Sequence, residues 1–95
     1  MNILWSPESI SDLKNLYQYS LIENPHSAHM IYNRVIEQVE ILTHSPHIGR
    51  AGRVPGTREL IISDTKYIIP YRVVNGTLQI LRIYYSSRKW PEKFQ

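Results

Sequence analysis

Cysteine is absent from this chain of 95 residues. Its absence excludes disulfide bonds and thiolate metal sites, and it is typical of proteins in a reducing compartment. No apolar run approaches the roughly 20 residues that a membrane-spanning helix requires. The first residues also lack a basic segment followed by an apolar one, so we expect no secretory signal. Together these absences predict a cytoplasmic protein with no membrane partner.

Acidic residues are scarce in the second half of the chain. From Gly49 onward there are nine basic and three acidic residues, whereas two basic and five acidic residues precede Gly49. The overall net charge of +3 therefore hides a surplus of six positive charges in the second half. Segregated charge of this kind indicates an anionic partner for that half, either nucleic acid or an acidic protein segment.

Length and composition favour one folded domain over residues 1–95. The apolar fraction of 42% and the charged fraction of 20% are ordinary for a folded soluble protein. A chain of this length has room for a single modest core, which must supply the stability that disulfides cannot.

The first half predicts a short strand followed by two helices. Residues 2–5 (NILW) indicate the strand, and residues 6–8 (SPE) combine an N-cap, a helix-starting proline and a first-turn acid. Asn24 and Pro25 repeat the cap and the proline at the start of the second helix. Apolar residues at spacings of three and four give each helix one apolar face. Helices of about 17 and 20 residues with almost no connector predict an antiparallel hairpin.

The second half predicts strands instead. Residues 59–63, 66–74 and 77–85 are rich in β-branched and aromatic side chains. Asn75-Gly76 is the sequence of a type I′ hairpin turn, which requires positive φ at both residues. The fold class is therefore α+β in the order β-α-α-β-β-β, with the N-terminal strand and the helical hairpin packed on an antiparallel sheet.

The hairpin turn fixes which strand residues share a face. The expected cross-strand pairs are Val74 with Thr77, Arg72 with Gln79, Tyr71 with Ile80, and Ile69 with Arg82. This register places Arg82 and Tyr84 on the face that the helices cover, and Arg72 and Ile83 on a second, partly apolar face that suits a partner. Pro70 cannot donate to the ladder, so it marks an edge strand or a bulge.

Several motifs, in this order and spacing, resemble toxins of the RelE/ParE superfamily, which belong to type II toxin–antitoxin modules. The matching stretches are WSPES (5–9), ENPHSA (23–28), PHIGRAGRVPGTRELII (46–62), KYIIPYRV (66–73), LQILRIYY (78–85) and SRKWP (87–91). The resemblance covers nearly the whole chain, and the fold that it implies agrees with the fold predicted from periodicity and turn chemistry.

The resemblance implies one of two activities. RelE-type members are endoribonucleases that cut mRNA on the ribosome without a metal, whereas ParE-type members act on DNA gyrase and block replication. Both inhibit growth, and both are held inactive by an antitoxin whose C-terminal segment wraps the toxin. The resemblance therefore implies a hetero-oligomer with an antitoxin, no cofactor and no metal site, and the basic second half suggests that the antitoxin segment is acidic.

The acid–base chemistry favours the ParE-like activity. Metal-free RNA cleavage needs a general base and a general acid beside the cations, but all four histidines precede residue 48. If the protein is a nuclease, its candidate catalytic residues are Arg58, Tyr84, Tyr85 and Arg88, and tyrosine titrates near 10, far from neutrality.

Two departures from the RelE-type pattern point the same way. RelE-type members tend to carry an arginine where this chain has Ile68, and some relatives carry a histidine near the end of the last strand, where this chain has residues 84–87 (YYSS). Action on gyrase is therefore our preferred hypothesis. A ribosome-dependent endoribonuclease and an inactive, partner-binding family member are the alternatives.

The candidate residues for binding the antitoxin or the target are mostly arginines, because the guanidinium group pairs with carboxylates and phosphates. They are Arg50, Arg53, Arg58, Arg72, Arg88, Lys89 and Trp90. Trp90 either anchors a partner or folds back over the core edge. Arg58 and Glu59 must point to opposite faces of their strand. Arg82 is expected to pair with a helix acid such as Glu40, because a charge among apolar neighbours needs a partner.

Overall fold

A six-stranded sheet packs against two helices in the computed structural model, which describes residues 1–94. The elements are β1 (Asn2–Trp5), α1 (Pro7–Glu23), α2 (Pro25–His44), β2 (Arg50–Ala51), β3 (Arg58–Ile61), β4 (Tyr67–Val74), β5 (Thr77–Ile80) and β6 (Tyr84–Tyr85). The strand order is β1-β5-β4-β3-β2, and β6 also pairs with β4. The predicted α+β fold is confirmed.

Both helices begin where their caps predict. The Ser6 Oγ accepts a hydrogen bond from the Ser9 N–H at 3.0 Å, and the Asn24 Oδ1 accepts one from the His26 N–H at 3.0 Å. A proline occupies the start of each helix, and Asn24 alone separates α1 from α2. Local capping chemistry therefore fixes the helical hairpin.

The sheet is mixed, not antiparallel as predicted, because β1 runs parallel to β5. The pairs run from Asn2 with Thr77 to Trp5 with Ile80. Parallel neighbours need a long crossover connection, and the whole stretch from α1 to β4 provides it here. Periodicity carries no information about strand direction, so the sequence did not indicate this pairing. Strand β2 was not predicted either, because its two residues are too few to show a period.

The hairpin between β4 and β5 follows the predicted register. The observed pairs are Tyr71 with Ile80, Arg72 with Gln79, Val73 with Leu78, and Val74 with Thr77. The turn residues Asn75 and Gly76 have φ values of 50° and 75°, as a type I′ turn requires.

A β-bulge opposite Pro70 interrupts the predicted strand 77–85. The Leu81 N–H still donates to the Pro70 carbonyl at 3.0 Å, but Tyr84 pairs with Ile68, one residue out of the register of β5. The predicted pair of Ile69 with Arg82 is therefore wrong. The extra residue of a bulge reverses the faces that follow it.

The reversal of faces has a direct consequence for the core. Ile83 packs into the core under the helices, and Tyr84 lies with its partner Ile68 on the opposite face. Both placements are the reverse of the prediction, which assumed an unbroken strand. Pro70 was predicted to mark an edge strand or a bulge, and the structure shows a bulge opposite it. The effect of the bulge on the residues that follow was not predicted.

Asp12 of α1 binds the bulge. Its Oδ2 accepts from the Ile83 N–H at 2.9 Å and from the Arg82 Nε at 2.8 Å, and its Oδ1 accepts from the Arg82 Nη2 at 3.0 Å. The prediction that Arg82 pairs with a helix acid is confirmed, but the acid is Asp12 and not Glu40. The Ser6 Oγ also donates to the Leu81 carbonyl at 2.7 Å, so the start of α1 is tied to the bulge twice.

The core lies between the helices and one face of the sheet. Its buried members are Leu16, Val35, Val39, Leu42, Leu60, Ile62, Ile69, Tyr71, Leu78, Ile80 and Ile83. Neither α1 nor α2, the two helices of the described part of the chain, is long and apolar enough to cross a membrane.

Candidate binding surface

The sheet face opposite the helices carries a mixture of apolar and charged side chains. We call it the open face; the strand register places on it Leu4, Glu59, Ile61, Ile68, Pro70, Arg72, Val74, Gln79 and Tyr84. Leu4 is 56% exposed and Ile61 is 49% exposed, although both belong to the sheet. Exposed apolar residues beside charged ones are typical of a partner-binding surface.

Glu59 is the most deeply buried charge on this face, with its side chain 1% exposed. Its Oε1 accepts from the Arg50 Nε and Nη2 at 3.1 and 2.9 Å, and its Oε2 accepts from the Arg53 N–H and Nε at 2.8 and 3.1 Å. Burial raises the pKa of Glu59, but the hydrogen bonds from Arg53 and Arg50 outweigh it, so the pKa lies below its ordinary value of 4.5. Two candidate binding arginines are thus fixed by one ionised carboxylate.

The C-terminal segment, residues 86–94, returns to the open face. The Arg53 guanidinium lies 3.9 Å from the centre of the Trp90 ring. Trp90 meets Tyr84 edge to face at 5.0 Å, and Phe94 stacks on Tyr84 at 6.3 Å. Of the two interpretations of Trp90, the structure shows the folded-back one, and a role in partner binding stays a prediction.

A groove of about 590 Å³ lies between the start of α1 and the C-terminal segment. We call it the cationic groove; Ser6 and Glu8 line one side, and Arg88, Lys89, Trp90 and Lys93 line the other. A smaller groove of about 300 Å³ adjoins it and continues across Leu4, Arg72 and Gln79. The basic residues near the C-terminus and the open face therefore form one continuous surface.

Glu8 lines the cationic groove, although the sequence indicated only its role as the first-turn acid of α1. Its position beside the C-terminal cations depends on the pairing of β1 with β5 and on the bulge that follows β5. The one local signal was its place in the first turn of α1, directly after the N-cap Ser6 and Pro7.

Arg72 lies in the middle of the open face, as predicted. Its Nε donates to the Gln79 Oε1 at 2.7 Å, so the predicted cross-strand neighbours also contact each other through their side chains. The side chain is partly buried between β3 and β5. The guanidinium of Arg72 therefore lines the smaller groove in a position that its hydrogen bond to Gln79 fixes.

Arg58 points away from the open face, because it alternates with Glu59 along β3. Its Nη1 donates to the Gly49 carbonyl at 2.9 Å. The Tyr71 hydroxyl accepts from the Gly49 N–H at 2.9 Å and donates to the Pro46 carbonyl at 2.7 Å. A Cβ on Gly49 would lie 2.5 Å from that hydroxyl, so the position requires glycine. Arg58 and Tyr71 thus hold the loop that follows α2.

Of the four candidate catalytic residues, the structure brings Tyr84 and Arg88 together and places Tyr85 and Arg58 elsewhere. Arg88 is above the Tyr84 ring, with its guanidinium 4.9 Å from the ring centre, whereas Tyr85 packs edge to face on Tyr67 at 5.4 Å. Arg58 contacts the loop carbonyls on the other face. Within residues 1–94 there is no group of three or more His, Asp or Glu side chains that could hold a metal ion.

The chain matches the family of the ParE toxin of the type II toxin–antitoxin system parDE over residues 3–90. Because the match spans most of the chain, the protein belongs to the ParE toxin family. The predicted resemblance to the RelE/ParE superfamily, and to its ParE-like branch, is confirmed.

A relative and a solved structure agree with this family. The relative, described as "Putative toxin Y4kP" from Sinorhizobium fredii (strain NBRC 101917 / NGR234), is 32% identical over 90 residues, covering 95% of this chain and 93% of its own. The structure, described as the chromosomal ParDE TA system from P. aeruginosa, is 30% identical and has a TM-score of 0.81. It covers 90% of this chain and 95% of its own.

Proposed function

We propose that this protein is the growth-inhibiting toxin of a type II module, that it acts on DNA gyrase in the cytoplasm, and that a cognate antitoxin holds it inactive. The observation that carries the proposal is the match of residues 3–90 to ParE toxins. ParE-type members are the branch of the superfamily for which the sequence resemblance implies action on gyrase.

The chemistry of the open face supports a binding role over RNA cleavage. Glu59 and Asp12 lie beside arginines, but hydrogen bonds from those arginines occupy their oxygens, so neither is free to take a proton from a 2′-hydroxyl. Burial raises the pKa of Tyr67 and of Tyr71, which moves both further from neutrality. A ribonuclease mechanism would instead draw on Tyr84, Tyr85 or Glu8, the exposed carboxylate of the cationic groove.

The proposed antitoxin carries an acidic, partly helical segment that covers the open face and the smaller groove. Exposed apolar residues such as Leu4 and held cations such as Arg72 suit a partner with both apolar and carboxylate side chains. A stable complex of this kind buries on the order of 1,600 Å² or more. Its affinity should fall as salt rises, since exposed charge pairs are screened. An affinity that is flat between low and high salt would contradict this assignment of the arginines.

Induction in cells that lack the antitoxin tests the proposed target. We expect growth arrest, loss of negative supercoiling in a reporter plasmid, and unchanged mRNA 5′ ends during the first minutes. New mRNA 5′ ends with normal plasmid topology would refute the proposal in favour of the ribonuclease. Unaffected growth would refute it in favour of an inactive, partner-binding protein. Co-expression of the cognate antitoxin is the control, and it should restore growth.

A further inference from the structure

Arg53 connects a buried carboxylate to the C-terminal segment. Its Nε and Nη2 donate to the two oxygens of Glu59 at 3.1 and 3.3 Å, and its backbone N–H donates to the same carboxylate at 2.8 Å. This fork geometry fixes the plane of the guanidinium, which a single hydrogen bond would leave free to rotate. Glu59 therefore decides which surface Arg53 presents to Trp90.

The other side of the same guanidinium contacts the indole of Trp90. The distance of 3.9 Å to the ring centre is well within the range of a cation–π contact. Because Arg53 also binds Glu59, the order of contacts runs from β3 through Glu59 and Arg53 to Trp90. Tyr84 and Phe94 then complete an aromatic cluster around the indole.

The C-terminal segment has few other attachments to the sheet. Its backbone hydrogen bonds within the described residues are those of the Ser86 N–H to the Lys66 carbonyl and of the Arg88 N–H to the Tyr85 carbonyl. The Trp90 Nε1 is buried without a hydrogen-bond partner among residues 1–94, which disfavours the docked position. Side-chain contacts must therefore offset this cost. Among them, the contact with Arg53 has a fixed geometry, because Glu59 holds the Arg53 guanidinium in place.

We propose that Glu59 is a positioning residue for the target-binding surface: through Arg53 it holds Trp90, and with it Arg88, Lys89 and Lys93, along the cationic groove. The docking of the C-terminal segment can be tested by itself. The effect of Glu59 on binding to gyrase rests on the proposed function. Arg50 has a separate role in this arrangement, because it shares the carboxylate and keeps Glu59 ionised, whereas the cation–π contact with the indole is made by Arg53.

Fluorescence of Trp90 tests the docking directly. The chain has two tryptophans, so Trp5→Phe leaves Trp90 as the reporter. In that background, Glu59→Gln removes the charge with little change of shape, and Arg53→Lys keeps the charge but removes the planar fork. Asp64→Asn is the matched control, because it removes an acid from the exposed ion pair with Arg34 at 3.0 Å, away from the groove.

We expect Glu59→Gln and Arg53→Lys to shift the Trp90 emission to longer wavelength and to increase its quenching by acrylamide. Both variants free the cation from its fixed position over the indole, and weakening this one cation–π contact should raise the population of the undocked segment by up to about fivefold. Asp64→Asn should match the parent. Unchanged emission and quenching in both test variants would overturn the proposal. Far-UV circular dichroism identifies a variant that fails to fold, and Arg53→Lys, a change at a half-exposed side chain, remains decisive if Glu59→Gln unfolds.

Gyrase inhibition by the same variants tests the consequence for the target. Glu59→Gln and Arg53→Lys should inhibit less than the parent and less than Asp64→Asn. Inhibition equal to the parent despite an undocked Trp90 would overturn the role of Glu59 in target binding. If the parent itself fails to inhibit gyrase, the proposed function fails, while the fluorescence result still decides whether Glu59 positions the segment.

Discussion

The two faces of the sheet differ in exposure, although the same strands form both. One face packs into the core, and the other is the proposed binding surface. On the helix-covered face, Ile69, Tyr71, Leu78 and Ile80 are fully buried. On the open face, apolar residues such as Leu4 stay half exposed beside paired arginines. Part of the open face is itself covered, since Ile68 and Tyr84 are 5% and 3% exposed. Alternation along each strand therefore separates stability from binding only where the open face is exposed, as at Leu4.

The largest effect on stability is expected from Leu78→Ala on the helix-covered face. Leu78 is 0% exposed and belongs to the core cluster, so its truncation leaves a cavity beneath the helices. The free energy of unfolding should fall by about 2–5 kcal/mol, measured by urea denaturation. A loss no greater than that of an exposed leucine would contradict the assignment of this face.

Glu59→Gln should destabilise the protein and remove part of its acid sensitivity. The folded-state pKa of Glu59 is lowered below 4.5, so its stabilisation is complete above that pH and is lost as the pH falls through the folded-state pKa. At neutral pH the substitution should lower the free energy of unfolding by about 1–3 kcal/mol. This is less than the loss expected on breaking a fully buried ion pair, because Arg50 and Arg53 are half exposed.

The check is the free energy of unfolding as a function of pH for both proteins. The difference between parent and Glu59→Gln should shrink as the pH falls below 4.5. A difference that stays constant into strong acid would show that the carboxylate charge contributes nothing.

Tyr71→Phe should lower stability through the loss of the hydroxyl that anchors the loop after α2, while the packing of the ring in the core is kept. The ring remains in the core, but the Gly49 N–H and the Pro46 carbonyl lose their partner. Leaving such groups unpaired costs about 1–3 kcal/mol, measured by thermal and urea unfolding. A variant as stable as the parent would show that the hydroxyl does not anchor this loop.

Leu4→Ala is the open-face counterpart of Leu78→Ala. Leu4 is more than half exposed, so the free energy of unfolding should change by about 0.5 kcal/mol or less. Affinity for the antitoxin, measured by titration calorimetry, should nevertheless fall, because Leu4 lines the smaller groove. Unchanged affinity would remove Leu4 from the proposed interface, and a large loss of stability would contradict the contrast between the faces.

Glu8→Gln should have the smallest effect of all. Under the gyrase proposal no step uses a base at this position, so growth arrest upon induction should equal that of the parent. A folded variant that has lost its toxicity, together with new mRNA 5′ ends that the parent produces and the variant does not, would instead favour RNA cleavage with Glu8 as the general base.

The local parts of the fold could be predicted from the sequence, and the long-range parts could not. Ser6 and Asn24 start helices through contacts within three residues, and Asn75-Gly76 fixes a hairpin by its own backbone angles. The parallel pairing of β1 and the bulge after Ile80 depend on which strand lies alongside, which periodicity does not reveal.

For the candidate surface, too, the local features could be predicted from the sequence and the long-range contacts could not. The sequence predicted a cationic second half and a partly apolar face that carries Arg72. It did not show that Arg50 and Arg53 share the carboxylate of Glu59, because that contact depends on the two-residue strand β2. The sequence also allowed two positions for Trp90, exposed as a partner anchor or folded back on the domain. The contact with Arg53 shows the folded-back position.

Supercoiling of a relaxed plasmid by purified gyrase, titrated with the purified protein, tests the proposed function most directly. We predict inhibition that grows with the concentration of the protein and disappears when the antitoxin is added first. Full supercoiling in the presence of a molar excess of folded protein would contradict the proposal that gyrase is the target.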